Sequence, residues 1–290
     1  MIKKGNTLFD MFVCPKCHDT LEARASFEED GEVKEGKLIC NNRNCRNVFP
    51  VRNFIPILIG DGSEIKREGV AVNLKNAVAV FKKEIDPDSR VSGRLFDSYL
   101  DDTQSIFLDI GCGIGRHLLI LRNNGIHRFM GFDIVYECVE IARSEFGLRD
   151  VFVANALSIP FADSTVDRCF LYDSIEHCSD PTKVLREVNR VLTRGGILFM
   201  NAPNGNSMGD RFFRWGGKII YGKTSHIQKF TKRKLQSVVE GSGFRIMECK
   251  VQHGIFVDYL QFEKLQVFKK ILTFLFGNEV SGWELSLQKD

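Results

Sequence analysis

Leu108-Asp109-Ile110-Gly111-Cys112-Gly113-Ile114-Gly115 decides the fold. An apolar strand, Ile106-Phe107-Leu108, runs into this stretch, and a helix carrying Leu118-Leu119-Ile120-Leu121 follows it to a stop near Gly125. Glycines at 111, 113 and 115 let the backbone turn sharply and approach a ligand closely. Three glycines alone suit many nucleotide-binding turns. Their spacing, G-x-G-x-G, is not the G-x-G-x-x-G of dinucleotide enzymes.

Strands and helices alternate outward from this turn. Phe129-Met130-Gly131-Phe132, Val151-Phe152-Val153, Val166–Tyr172 and Ile197-Leu198-Phe199-Met200 read as short apolar strands. Helices are expected from Cys138 to Phe146, from Pro181 to about Leu192, and after the N-cap Thr231. Short apolar strands separated by helices imply a buried parallel sheet. Phe244–Val251 reads as a further strand, and the alternation of Trp283-Glu284-Leu285-Ser286-Leu287-Gln288 as an edge strand. Asp258–Phe276 reads as an amphipathic helix.

The acids refine the ligand. Asp109, just before the turn, would repel a pyrophosphate but suits a cationic amino group and a sulfonium. Asp133, at the end of the second strand, is placed for two ribose hydroxyls. Three further features follow in order: Asn155-Ala156-Leu157-Ser158-Ile159-Pro160-Phe161, Asp167–Tyr172 leading into Asp173-Ser174-Ile175-Glu176-His177, and Leu192-Thr193-Arg194-Gly195-Gly196. On these five motifs the chain, over roughly residues 75–252, resembles the class I S-adenosylmethionine-dependent methyltransferases. The resemblance implies an α/β, Rossmann-like seven-stranded sheet with the last strand antiparallel. It also implies that Asp109, Gly111, Cys112, Gly113 and Gly115 meet the methionine part of S-adenosyl-L-methionine. Asp133 would then hold the ribose, Ile134 would pack on adenine, Asn155 and Ala156 would meet the adenine edge, and Tyr172 and Asp173 would line the methyl-transfer face. The family often has Asp where Asn155 stands; an amide oxygen can still accept from the adenine amino group.

Ahead of this lies a cysteine module. Cys14-Pro15-Lys16-Cys17 is a C-x2-C knuckle and Cys40–Cys45 a wider C-x4-C. Four thiolates on two hairpin tips can close a tetrahedral, structural zinc site, with no open position for water. His18 is an alternative ligand. Zinc would contribute directly to folding so small a module. Its tail, Val48–Leu58, resembles the zinc-ribbon proteins that activate tRNA and protein methyltransferases, and the ribbon of certain rRNA guanine methyltransferases. Two departures stand against that likeness: the second spacing is long, and neither knuckle has the usual glycine after its second cysteine. The expected division is residues 1–60 as zinc ribbon, 61–104 as helical connector, and 105–290 as methyltransferase domain with cap insertions near 203–229 and 254–280.

Methyl transfer needs alignment of donor and nucleophile, and a base only where the acceptor must lose a proton. Candidates for that base are His177, His226 and Asp173. Residues 201–275 hold 13 Lys+Arg against 5 Asp+Glu, a balance of +8, whereas the first 60 hold 9 against 8. Basic charge beside Phe212, Phe213, Trp215, Phe256, Tyr259 and Phe262 suits a small-molecule, sugar or lipid-linked acceptor carrying an anionic group. A nearly neutral ribbon argues against the alternative, an rRNA or tRNA base. A third reading is a non-catalytic cofactor-binding scaffold, its 258–276 helix docking on a membrane surface or another protein. Nine cysteines used as one cluster plus scattered singles suit a reduced compartment. With no apolar run of membrane-spanning length and no signal peptide, a cytoplasmic protein is expected.

Overall fold

The computed structural model describes residues 11–59, 78, 94–207, 227–253 and 280–290. Their strands form one continuous eleven-stranded sheet in the order β1-β2-β3-β4-β7-β6-β5-β8-β9-β11-β10. The strands are β1 (Leu21–Glu29), β2 (Glu32–Cys40), β3 (Val48–Arg52), β4 (Ile55–Leu58), β5 (Phe107–Ile110), β6 (Phe129–Asp133), β7 (Val151–Ala154), β8 (Val166–Leu171), β9 (Leu192–Pro203), β10 (Phe244–His253) and β11 (Val280–Lys289).

Strands β4 to β9 pair in parallel across the middle of the sheet. The four residues of β5 and of β7 are all buried, as strands covered on both faces require. The helices are α1 (Arg116–Asn123), α2 (Tyr136–Ser144), α3 (Pro181–Val191) and α4 (Lys232–Glu240). Asp180 caps α3 by accepting from Lys183 N, with Pro181 at the first helical position, and Thr231 caps α4 by accepting from Lys234 N.

Two points depart from the sequence reading. Residues 283–288 do not form an edge. β11 runs antiparallel between β9 and β10, and β10 is the outer strand. The alternation misleads because two of its three polar members are themselves buried: Glu284 is 2% exposed and Ser286 4%. Glu284 Oε1 accepts from Tyr172 OH at 2.8 Å and from Leu95 N at 2.9 Å, which satisfies the carboxylate inside the protein. The second departure is the reach of the cysteine module. Its last strand, β4, pairs antiparallel with β3 and parallel with β7, so the ribbon prolongs the central sheet. Phe12, Leu38, Phe49 and Val51 of the ribbon share one buried core with Leu108, Phe132, Phe152 and Phe161. Arg143 of α2 and Arg149 reach across to the buried Glu32 of β2 at 2.6 and 3.3 Å.

On the other face an aromatic cluster fixes the short 3-10 turn Leu95–Tyr99. Phe96 is fully buried and its ring lies 4.6 Å from Phe170 and 5.8 Å from Tyr172. Such pairs add about 0.5–1.5 kcal/mol each beyond simple burial. Of the connector expected over 61–104, most residues lie outside those described. The 258–276 helix and most of the two expected cap insertions do as well.

Candidate functional site

The glycine turn leaves the sheet at the carboxyl end of β5. Gly111, Gly113 and Gly115 all have positive φ, at 76°, 54° and 94°. Phe132 O receives the N–H of both Gly111 and Cys112 at 2.9 Å, which ties the turn to the end of β6. The three glycines face different surroundings. A Cβ on Gly111 would lie 2.3 Å from Ser174 Oγ, and one on Gly115 would lie 2.2 Å from Leu148 Cδ1. A Cβ on Gly113 would meet nothing within 4 Å. Gly111 and Gly115 are therefore small to let protein pack against the turn, while Gly113 borders open space. Cys112 is buried, which pushes its thiol well up, and it turns inward.

Acidic groups ring that space. Asp109 is 1% exposed, and its Oδ2 lies 3.5 Å from His117 Nδ1 with no hydrogen bond among the described residues. Asp133 accepts from Gly113 N through Oδ2 and from Val135 N through Oδ1, each at 2.9 Å. Burial first, and the Asp109 charge besides, push the Asp133 carboxyl up from its ordinary range against those two bonds. A carboxylate offers about four acceptor positions, so two remain for hydroxyl donors. Ile134 beside it is exposed, a free apolar surface at the same edge. These features fit the ribose and methionine parts of S-adenosylmethionine: open space at a glycine backbone, a half-satisfied carboxylate, and a buried acid for a cationic group.

Asn155 opens the loop after β7. Its Oδ1 accepts from Leu157 N at 2.9 Å, and its backbone O accepts from Ser158 N at 2.9 Å, while Ala156 packs against the core. At the end of β8, Tyr172 is buried, with its ring 4.8 Å from His117 and the Arg94 guanidinium 4.9 Å from its centre. Its phenol is held protonated by burial and by the neighbouring Glu284. Asp173 is exposed and adopts φ 48°, an uncommon left-handed conformation for a residue with a side chain. Asn201 holds it there from near the end of β9. Asn201 Nδ2 donates to Asp173 Oδ1, and Asp173 N donates to Asn201 Oδ1, both at 2.6 Å. His177 is exposed one turn further on. Residues 227 and 228 are pinned to the same turn, with Ile227 N and Gln228 N both donating to Glu176 O at 3.0 Å. His226 lies outside the described residues.

Sequence reading missed Asn201, Glu284, Arg94 and His117. Asn201 carries a positional signal, since it lies near the carboxyl end of the strand next to β8, from which Asp173 follows. Glu284 and Arg94 carry none, because 189 residues separate Leu95 from the carboxylate that caps it.

The second site is the cysteine cluster. The sulfurs of Cys14, Cys17, Cys40 and Cys45 all lie within 4.8 Å of one another, with Cys14–Cys45 at 3.7 Å and Cys17–Cys40 at 3.4 Å. Four sulfurs at about 2.3 Å from one zinc ion would sit roughly 3.8 Å apart. Backbone amides favour the thiolate form: Lys16 and Cys17 toward Cys14, Asn42 toward Cys40, and Asn47 toward Cys45. For Cys45 this prevails and its thiol is pushed down, whereas burial pushes Cys14 and Cys40 up. The donor set fits a structural zinc ion, which the four cysteines would hold without His18.

Residues 108–200 match the family model for a methyltransferase domain, and residues 6–53 match that for Trm112p-like protein. The chain is 26% identical over 137 residues to the malonyl-[acyl-carrier protein] O-methyltransferase of Hamiltonella defensa, covering 47% of this chain and 53% of that protein. It is 27% identical over 220 residues to the tRNA U34 carboxymethyltransferase of Campylobacter hominis, covering 71% and 76%. Among solved structures it resembles the complex between the Haloferax volcanii Trm112 methyltransferase activator and a methyltransferase. There the identity is 18% and the TM-score 0.53, over 75% of this chain and 96% of that one, a likeness of fold. The chain spans 62% and 53% of the lengths of two of the curated relatives it matches.

Proposed function

With a methyltransferase domain behind a Trm112p-like module as the premise, we propose that this chain uses S-adenosyl-L-methionine to methylate a small-molecule, sugar or lipid-linked acceptor. The observation that carries the donor is the open space at Gly113, beside a carboxylate, Asp133, that keeps two acceptor positions. When bound, S-adenosylmethionine supplies an electrophilic methyl on a sulfonium with a good leaving group. This chain's residues bind and orient. Asp109, Gly111, Cys112, Gly113 and Gly115 border the methionine part. Asp133 takes the ribose hydroxyls, Ile134 covers an adenine face, and Asn155 with Ala156 meets its edge. Asn155 Oδ1 retains one lone pair beyond its bond to Leu157 N. Tyr172 packs beneath the site with its hydroxyl turned away onto Glu284, so its contribution is to hold the floor rigid.

On this reading Asp173, fixed by Asn201, is the acid at the acceptor side, and the exposed His177 follows it four residues on. Either can take a proton from an acceptor hydroxyl, and His226 is the third candidate. The ribbon, with zinc on Cys14, Cys17, Cys40 and Cys45, supports the sheet edge from within the chain. A small or lipid-linked acceptor is favoured because the ribbon spends its apolar face on the shared core. Its outer hairpin also carries the acidic run Glu28-Glu29-Asp30, which would repel phosphate.

RNA is the second reading, favoured by the Trm112p-like match and by the tRNA-modifying relative. The test is transfer of labelled methyl from S-adenosylmethionine to fractionated cell extract. Label in lipid or glycan fractions supports the first reading. Label confined to RNA supports the second. No label in any fraction, with S-adenosylmethionine still bound, returns the chain to a cofactor-binding scaffold. Among the described residues no helix is long and apolar enough to cross a membrane.

A further inference from the structure

We propose that the first cysteine knuckle is a positioning element for the cofactor loop, so that zinc in the ribbon and S-adenosylmethionine in the main domain bind with positive coupling. This rests on the cofactor reading above. It goes beyond it by joining two sites on different parts of the chain.

The joint is loop 155–161, which begins at the expected adenine contacts Asn155 and Ala156 and turns back through Ser158. Ser158 Oγ donates to Pro15 O, the carbonyl between the zinc ligands Cys14 and Cys17. Val13 N, next to Cys14, donates to Pro160 O at 3.0 Å. Phe12 pairs with Phe161 in an isolated bridge, and its ring sits 4.7 Å from Phe152 and 5.2 Å from Phe161. Three knuckle-side positions, Phe12, Val13 and Pro15, therefore grip three positions of one loop, Phe161, Pro160 and Ser158. From the other side α3 completes the clamp. Glu187 Oε2 accepts from Ile159 N at 2.9 Å, and Arg190 donates to Ile159 O and Phe161 O at 2.9 and 2.7 Å.

Within the loop, Ser158 N donates to Asn155 O and Leu157 N to Asn155 Oδ1, so the position of Ser158 sets that of Asn155. The path from metal to cofactor edge is short: a peptide bond joins Cys14 to Pro15, and one hydrogen bond each joins Pro15 to Ser158 and Ser158 to Asn155. The knuckle keeps its shape when its sulfurs are tied to one ion, and Cys14 reaches Cys45 only across 31 residues of chain. Without the ion, Pro15 O is free to drift and the loop loses one of its two walls. A ligand that needs the loop in place would then carry the cost of ordering it. Because coupling free energies are reciprocal, the cofactor must tighten zinc by the factor by which zinc tightens the cofactor.

The experiment uses the full chain loaded with zinc. S-adenosylmethionine affinity is measured by calorimetry for wild type, Ser158→Ala and Ser158→Thr. Zinc loss to a chromophoric chelator is followed for wild type with and without S-adenosylmethionine. Losing one hydrogen bond at the joint should weaken cofactor binding of Ser158→Ala roughly three- to tenfold. Ser158→Thr, which keeps the hydroxyl, should recover most of that loss. Saturating cofactor should raise zinc affinity by a similar or larger factor. A purely structural role for Ser158 would lower the melting temperature and leave cofactor affinity unchanged; that result, or zinc loss indifferent to cofactor, overturns the proposal. Wild-type protein that binds no S-adenosylmethionine overturns instead the reading on which it rests.

Discussion

Replacing Gly113 by alanine should separate cofactor binding from folding. Gly113 has φ 54°, and an added methyl there would meet no atom within 4 Å. The cost to the fold is that of an alanine in a left-handed conformation, about 1–2 kcal/mol. For a domain of this size that is roughly 2–8 °C in melting temperature. The methyl would nevertheless occupy the space assigned to the ligand, next to the amide that bonds Asp133. S-adenosylmethionine affinity should fall at least ~30-fold, about 2 kcal/mol. Gly125→Ala is the matched control. Its φ is 80°, a methyl there also meets nothing within 4 Å, and it lies past the end of α1 away from the turn. It should lose the same stability and bind cofactor normally. Gly111→Ala should behave differently again, because its methyl would press to 2.3 Å from Ser174 Oγ. Strain of about 1–3 kcal/mol then adds to the backbone cost. The assay is thermal melting in parallel with calorimetric titration of S-adenosylmethionine. Gly113→Ala binding the cofactor within threefold of wild type would refute the placement of the ligand at this backbone.

Tyr172→Phe removes one of two donors to the buried Glu284 Oε1 and should cost about 1–3 kcal/mol in urea unfolding, with Glu284→Gln costing less. Arg143→Ala should cost about 2–3 kcal/mol, since Glu32 keeps only the exposed Arg149 and Phe54 loses the guanidinium 4.8 Å from its ring. An unchanged unfolding midpoint would dismiss that bridge as a brace between ribbon and domain. The raised Asp133 carboxyl sets a pH dependence. Its folded form holds a proton more tightly than the unfolded chain, so its contribution to stability is present below the ordinary 3.8 and declines as pH rises through the folded value. The stability difference between wild type and Asp133→Asn should therefore move against wild type as pH climbs above 3.8; a flat difference would contradict the assigned burial.

The sequence alone determined the alternation of strands and helices from Phe107 to His253, the glycine turn that follows β5, and the four clustered cysteines. These are local properties: glycine spacing, runs of apolar residues, and pairs of thiols two and four residues apart. Tertiary structure decided what lies beside what. Only the sheet order places β11 between β9 and β10, because alternation reports which residues differ in polarity and not which faces are covered. Only the fold sets Asn201 against Asp173, brings Glu284 to Tyr172, and lays the Cys14–Cys17 knuckle on Ser158. Each of these is a contact between residues 28 to 143 positions apart. Local propensity carries no information about such pairs, which arise when separate apolar faces find one shared core.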